Sequence, residues 1–480
     1  MKNQRKPNIV WVLSDQVRWD AVGYSGRSSV STPVLDRLAA RGVAFDSAYC
    51  ASPICSPARA SWVTGLYPHG HHQYINYTPK WQDLPGCAIS DGTLTIGDVL
   101  NEAGYRCGIA GVWHLADDDQ PNHGFTDYWI KYSYHDLSLP DPHFAAMERL
   151  GIFNPYDPAN GAMQKIGVFP YTDITDPRQQ RTSWVIDRSL EFLDRRQPDD
   201  EKPFFLMVGI KDPHPPMAPP ADLLQAYPPD QIPLPANFRD PLDGKPPSQH
   251  RGRRRLTEQN LSEREMRVLM QYYFALTAHV DREVGRVVDL LDARGLSDGT
   301  ILVFSSDHGE QLGNHGFVEK GYMYEESVRV PCVVSWPEQL PRGTRITTPL
   351  AGVDLMPTLL ELAGCPVPTN LDGRSVAGEL LRGEQPAPRP VFAEIGDGIL
   401  VGNSTDPQYF ASHVMVVSDG WKYVRNRDEI DELYDLAEDP AEMVNLAQDS
   451  DQKERVEASR AMIREMVVKS GPDQYAWCLT

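Results

Sequence analysis

Asn8-Ile9-Val10-Trp11-Val12-Leu13-Ser14-Asp15-Gln16 is an apolar run of strand length that stops abruptly on an acid and an amide. A run that is apolar at successive positions is buried on both faces, as a strand inside a parallel sheet is. A second run, Val303-Phe304-Ser305-Ser306-Asp307-His308-Gly309, ends alike. In an open α/β sheet, ligands bind beyond the carboxyl ends of the strands. Two such ends can bring Asp15, Gln16, Asp307 and His308 to one point. Two carboxylates, an amide oxygen and an imidazole suit a hard divalent cation and leave positions open for substrate.

Outward from these runs, strand-like and helical patterns alternate. Thr32-Pro33 predicts a helix start and Gly42 its end. Thr95 opens a helix that stops at Gly104, and Tyr105–Gly111 follows as a strand. Phe204–Ile210 and Thr300–Ser305 read as further core strands. Ser262 and Glu265 form a capping-box pattern before a long helix. Its apolar stripe is Met266, Leu269, Met270, Tyr273, Val280, Val284, Val287 and Leu291, and Gly295 closes it. The proline-rich segment 213–247 reads as a long surface loop. After a short helix over Leu355–Ala363, strands are expected near Val391–Ile395, His413–Ser418 and Trp421–Arg425, then a helix over Glu457–Val468. The pattern predicts an α/β fold: a large, mostly parallel sheet sandwiched by helices over residues 1–379, and a smaller α+β C-terminal domain over residues 380–480. No internal repeat is visible.

With 46 Lys and Arg against 66 Asp and Glu, the chain of 480 residues carries a formal charge of −20. Broad electrostatic binding to nucleic acid or to an anionic membrane is excluded on that balance. The basic cluster Arg251-Gly252-Arg253-Arg254-Arg255 reads as a solvated loop. No apolar run approaches the roughly 20 residues that span a bilayer. The basic N-terminal stretch is not followed by a signal-type apolar core, and the 7 cysteines have no framework spacing. A cytoplasmic location is expected.

The third chemical element is Cys55-Ser56-Pro57-Ala58-Arg59, followed by Thr64-Gly65. Pro57 suits a first helical turn, which would put Cys55 at a helix N-terminus, where partial positive charge favours an anion and activates a nucleophile. Arg59, one turn on, would point back to that end. Here the sequence resembles the type I, formylglycine-dependent sulfatases of the alkaline-phosphatase superfamily. Their Cys-x-Pro-x-Arg signature is matched by Cys55, Pro57 and Arg59, and the spaced Thr-Gly by Thr64 and Gly65.

The resemblance implies that Cys55 is converted to formylglycine by a formylglycine-generating enzyme, and that one divalent metal, calcium or else manganese, is held by Asp15, Gln16, Asp307 and His308. It implies that His114 works on the hydrated formylglycine, His214 at the leaving-group oxygen, and Lys320 on the sulfate. Arg59 would share the sulfate charge, and Asn76 would be a polar contact. One departure stands out: Val112 occupies a position where the family has lysine, so the charge there is expected from another side chain or not at all. His69, His71 and His72 follow the signature, with at most one expected at substrate, whereas His123, His135 and His279 read as structural or exposed. Cys50, Cys87, Cys107, Cys332, Cys365 and Cys478 read as ordinary packed thiols. The function implied is hydrolysis of a small-molecule or saccharide sulfate ester. The alternative is a phosphonate monoester or phosphodiester hydrolase of the same superfamily, and loops such as Tyr132–Thr172 would set specificity.

Overall fold

The computed structural model describes residues 6–77, 83–116, 122–129, 180–195, 202–215, 217–258, 262–396, 412–470 and 475–479. Among them, nine strands form the main sheet: β1 (Asn8–Asp15), β2 (Val43–Tyr49), β3 (Arg106–Gly111), β4 (Asp127–Trp129), β5 (Phe204–Pro213), β6 (Thr300–Ser306), β7 (Arg329–Ser335), β8 (Thr344–Ile346) and β9 (Leu350–Ala351). Their order is β4-β3-β5-β1-β6-β7-β2-β8, with β9 also pairing β2. β1 lies at the centre, parallel to β5 and β6, and β7 runs antiparallel to β6 and β2.

The unbroken apolar texture of β1 has a direct cause. Ile9, Trp11 and Leu13 enter one core, and Val10 and Val12 enter the other. The first core is covered by α2 (Cys55–Thr64), α3 (Ile96–Glu102) and α7 (Leu355–Leu362); the second by α1 (Pro33–Arg41), α4 (Arg181–Asp194) and α6 (Glu263–Ala293). The predicted capping box of α6 is present at Ser262 and Glu265, and every residue of its predicted stripe is buried.

Two local expectations are corrected. Thr32 makes no side-chain cap to α1; the Asp281 carboxylate of α6 accepts from Val34 and Leu35 N–H at 3.1 and 2.8 Å. The basic cluster at Arg251 is helical, within α5 (Pro247–Glu258). Pro247 is that helix's first residue, and arginine is a good helix former, so local preference outweighed the polar texture. Arg251 also pairs with Glu429 at 2.8 Å.

A second, antiparallel sheet follows: β10 (Val391–Ile395), β11 (His413–Ser418), β12 (Trp421–Asn426) and β13 (Glu432–Asp435). One of its faces joins the first core, through Val391, Ala393 and Met415. The other packs Val414, Val416 and Leu433 against Val456, Ile463 and Val467 of α8 (Lys453–Ser470). No described helix is long and apolar enough to cross a membrane. Tyr132–Thr172 and His135 lie outside the described residues.

Candidate active site

Because β1 and β6 are parallel and Ser14 pairs with Ser306, Asp15 and Asp307 leave the sheet side by side. The turn is tied down at once. Asp307 N–H donates to Ser14 O at 3.0 Å, and Gln16 N–H donates to Asp307 Oδ1 at 3.0 Å. Gln16 pays a conformational cost to sit there, with φ of 73°. His114, beyond the end of β3, has φ of 64°. Left-handed backbone at non-glycine residues costs on the order of 1–3 kcal/mol and is concentrated at functional sites.

α2 brings Cys55 to the same point from above the first core. Asn76 holds the helix start: its Oδ1 accepts from Ser56 N–H at 2.9 Å. Cys55 Sγ lies 3.2 Å from His308 Nε2 and 3.9 Å from Asp15 Oδ1. The ligand-capable atoms of Asp15, Cys55, Asp307 and His308 all fall within 4.8 Å of one another, and all four residues are buried.

Arg59 turns back toward the Cys55 end of the helix, and there it meets the two carboxylates. Its Nε reaches Asp307 Oδ2 at 2.9 Å, its Nη2 reaches Asp15 Oδ2 at 3.2 Å, and its Nη1 donates to Val112 O at 3.1 Å. The guanidinium fork fits two carboxylates and a carbonyl better than one exposed oxyanion. Burial and the Asp15 charge push the Cys55 thiol up, against Lys320 and Arg59.

The donor set fits a divalent cation. The His308 Nδ1 proton is directed at Gly309 O, 2.9 Å away, which leaves Nε2 as the ligand nitrogen. Burial and the neighbouring Asp15 charge raise Asp307 above the usual carboxylate range, the signature of acidic groups short of positive charge. Two carboxylate oxygens, an amide residue and an imidazole nitrogen are what calcium or manganese chemistry takes.

The remaining predicted residues converge beside this cluster. Lys320 Nζ donates to Gln16 Oε1 at 2.9 Å and lies 2.8 Å from His214 Nε2. Burial works against the Lys320 charge, but Cys55, Glu319, Asp15 and Glu310 outweigh it and raise its pKa. His214 is held well below the usual histidine value by burial, Lys320 and Lys211. His114 Nε2 lies 2.9 Å from Tyr77 O, which makes Nδ1 the acceptor nitrogen of that ring.

Two residues at the site were not picked out from sequence. Glu310 is buried and hydrogen-bonds the Gln16 amide; three residues past Asp307, it reads as any acid in a loop. Lys211, buried at the end of β5, feels both Asp15 and Cys55. Gly209 O on the same strand accepts from Val112 N–H at 2.8 Å, so Lys211 is brought in next to the position where a lysine was missing. Burial, with Arg181, holds Lys211 well below the usual lysine range, although Asp15 and Cys55 pull it up.

The histidines behind the signature have partners within the fold. His69 pairs with Glu394, His71 Nε2 lies 2.9 Å from Ser61 Oγ, and His72 Nδ1 lies 2.7 Å from Ser90 Oγ. His123 sits 3.4 Å from Asp98, and burial and Arg282 push His279 down to about 3. The other six cysteines are buried and form no disulfide.

A family model described as Sulfatase matches residues 7–365, and one described as N-sulphoglucosamine sulphohydrolase, C-terminal, matches residues 313–469. A protein of Escherichia coli (strain K12), called uncharacterized sulfatase YidJ, is 30% identical over 459 residues, covering 93% of this chain and 84% of its own. The phosphonate monoester hydrolase of Agrobacterium radiobacter superposes with a TM-score of 0.80 at 21% identity, over 98% of this chain and 97% of that one. A structure solved in complex with its substrate D-glucosamine-2-N,6-O-disulfate superposes with a TM-score of 0.76 at 22% identity, over 97% of this chain and 98% of that one. At such identities the two solved structures bear on the fold alone.

Proposed function

Because this chain belongs to the sulfatase family of the alkaline-phosphatase superfamily, we propose that it cleaves a sulfate ester to an alcohol or phenol and inorganic sulfate. The observation that carries the reading is the convergence of Asp15, Asp307 and His308 on the first residue of α2, Cys55. The reading includes conversion of Cys55 to formylglycine by a formylglycine-generating enzyme, and one cation, Ca2+ or else Mn2+, held by Asp15, Gln16, Asp307 and His308. A bound cation lowers the pKa of an adjacent hydroxyl and balances sulfate charge, and a hydrated aldehyde at residue 55 supplies that hydroxyl.

The chain's own residues divide the rest of the work. Arg59 fixes the two carboxylates through their Oδ2 atoms, so their Oδ1 atoms face the cluster. Lys320 stays charged and is placed to neutralise the sulfate oxygens. His214 Nε2, at Lys320 Nζ, is placed for the leaving oxygen. An arriving anionic ester offsets the Lys320 and Lys211 charges that, with burial, keep the ring neutral. His214 then takes up a proton and donates it to the leaving group. His114 accepts a proton at Nδ1 when sulfate is expelled. Asn76 Nδ2 is a further contact for the substrate, and Lys211, held well below the usual lysine range by burial, becomes the charge that Val112 cannot supply when an anionic ester arrives beside it.

The substrate class is a sulfated saccharide or a small sulfate ester. The test compares kcat/KM for an aryl sulfate and an aryl phosphonate monoester on protein with residue 55 converted. Preference for the sulfate is expected. Preference for the phosphonate would transfer the chain to the phosphonate monoester or phosphodiester reading.

A further inference from the structure

Glu310 lies outside the set of residues assigned so far, yet its carboxylate joins three pieces of the site. It is buried, with 2% of its surface exposed. Oε2 accepts from Nε2 of Gln16, at the end of β1. Oε1 accepts from Leu312 N–H at 3.0 Å and from Glu319 N–H, the residue before Lys320. The same loop is pinned from its backbone, since Glu310 N–H donates to Glu326 O at 2.8 Å and Gln311 N–H to Glu319 O at 2.7 Å.

A glutamine amide has nearly the same shape either way round, but one end accepts and the other donates. At Gln16 the two ends meet opposite chemistry. A carboxylate, which can only accept when ionised, takes the nitrogen; the Lys320 ammonium, which can only donate, takes the oxygen at 2.9 Å. Turned around, the amide would set its nitrogen against an ammonium and its oxygen against a carboxylate. The Gln16 backbone, with φ of 73°, limits how far the side chain can retreat from that choice.

We propose that Glu310 is the positioning residue that turns the Gln16 amide oxygen toward Lys320 and the Asp15–Asp307–His308 cluster. The inference rests on the reading that this cluster holds a cation. Glu310 would not itself be a ligand; it would decide which end of Gln16 is offered to a cation. Residues that orient a metal ligand typically control affinity by about 10- to 100-fold.

The informative change is Glu310→Gln, because it keeps the shape and reverses one polarity. The two backbone N–H groups of Leu312 and Glu319 still demand an acceptor, so the new side chain keeps its oxygen there and turns its nitrogen to Gln16. Gln16 must then turn its own oxygen outward and its nitrogen inward. Ca2+ alone, titrated by calorimetry into metal-stripped full-length protein, should bind about 10- to 100-fold more weakly to this variant than to the wild type. The paired variant Gln16→Glu with Glu310→Gln should recover most of that loss, since a carboxylate at 16 accepts from the amide at 310 and still offers an oxygen to the cluster.

Wild-type affinity in Glu310→Gln would overturn the proposal. Failure of the paired variant to regain Ca2+, whether it folds or not, would overturn it as well. Should Glu310→Gln fail to fold, a folded paired variant that binds Ca2+ supports the proposal. A wild-type protein that takes up neither Ca2+ nor Mn2+ would defeat the cation reading itself and Glu310's role with it. That result is distinct from one in which the wild type and Glu310→Gln bind equally.

Discussion

At Lys422 and at Arg59, one cation is buried with two carboxylates, and the two clusters are built to different ends. Lys422 Nζ lies 2.9 Å from Glu325 Oε1, 2.8 Å from Glu442 Oε1 and 2.8 Å from Met323 O. Three ammonium protons face three acceptors. Arg59 instead reaches Asp15 and Asp307 through one oxygen each, Oδ2 in both cases. The two Oδ1 atoms face inward, 3.7 and 3.8 Å from His308 Nε2. Burial would raise Glu325, but Lys422 and Arg329 hold it below the usual value, while burial and the Glu325 charge push Glu442 up to about 7 against Lys422. Asp307 is raised by burial and Asp15 in spite of His308 and Arg59. Both clusters keep one raised acid, and what separates them is the company: the Lys422 carboxylates are gathered on an ammonium and on Arg329, whereas Asp15 and Asp307 are gathered with Cys55 and His308, whose ligand-capable atoms all fall within 4.8 Å of one another.

The contrast breaks most sharply at Asp307. Asp307→Ala should abolish stoichiometric cation binding and lower kcat/KM by about 10^4-fold. Metal analysis and steady-state kinetics on the same preparation check both, and a mutant that still carries one cation per chain would remove Asp307 from the ligand set. The reverse pattern is expected at Lys422. Lys422→Met leaves two buried carboxylates without their cation and should cost about 3–5 kcal/mol of stability in urea denaturation. Turnover per folded molecule should stay close to wild type.

His214 separates chemistry from charge within the site. A poor leaving group needs a proton, and a nitrophenolate needs little help. His214→Ala should lose about 10^2-fold or more on an alkyl or sugar sulfate and far less on an aryl sulfate. Lys320→Ala should lose on both, because its charge serves the sulfate group. Equal losses for His214→Ala on the two substrates would remove its role as a proton donor.

The smallest expected effect is in His69, which joins the main domain to Glu394 of β10. Burial lowers its pKa, but the Glu394 charge and hydrogen bond outweigh burial and raise it above the ordinary histidine value of about 6.5. A group with a raised folded pKa contributes stability fully below its unfolded value and loses it as pH climbs through the folded one. Stability should therefore decline as pH rises above 6.5, and His69→Gln should flatten that part of the profile in denaturant midpoints.

The parts of this molecule legible in its sequence are those fixed by local pattern. β1 reads correctly because it is buried on both faces, and the meeting of the two strand ends is legible because each is marked by a sudden acid. α6 is announced by its own cap and stripe. What was not legible depends on distant contacts. The direction of Arg59 is set by Asp307 and by the carbonyl of Val112, which no residue near Arg59 discloses. Glu310 becomes informative only once Gln16 lies opposite it. Helix α5 was hidden by polar composition, and β13 by being four residues long with an acid at each end.

The central claim is that residue 55, held over the open face of the Asp15–Asp307–His308 cluster, turns over sulfate esters once it is no longer cysteine. The direct measurement is the specific activity of several preparations plotted against the converted fraction of residue 55, read by peptide mass spectrometry as a residue lighter than cysteine. The account predicts a line through the origin. Undiminished sulfatase activity in protein whose residue 55 is entirely cysteine would contradict it.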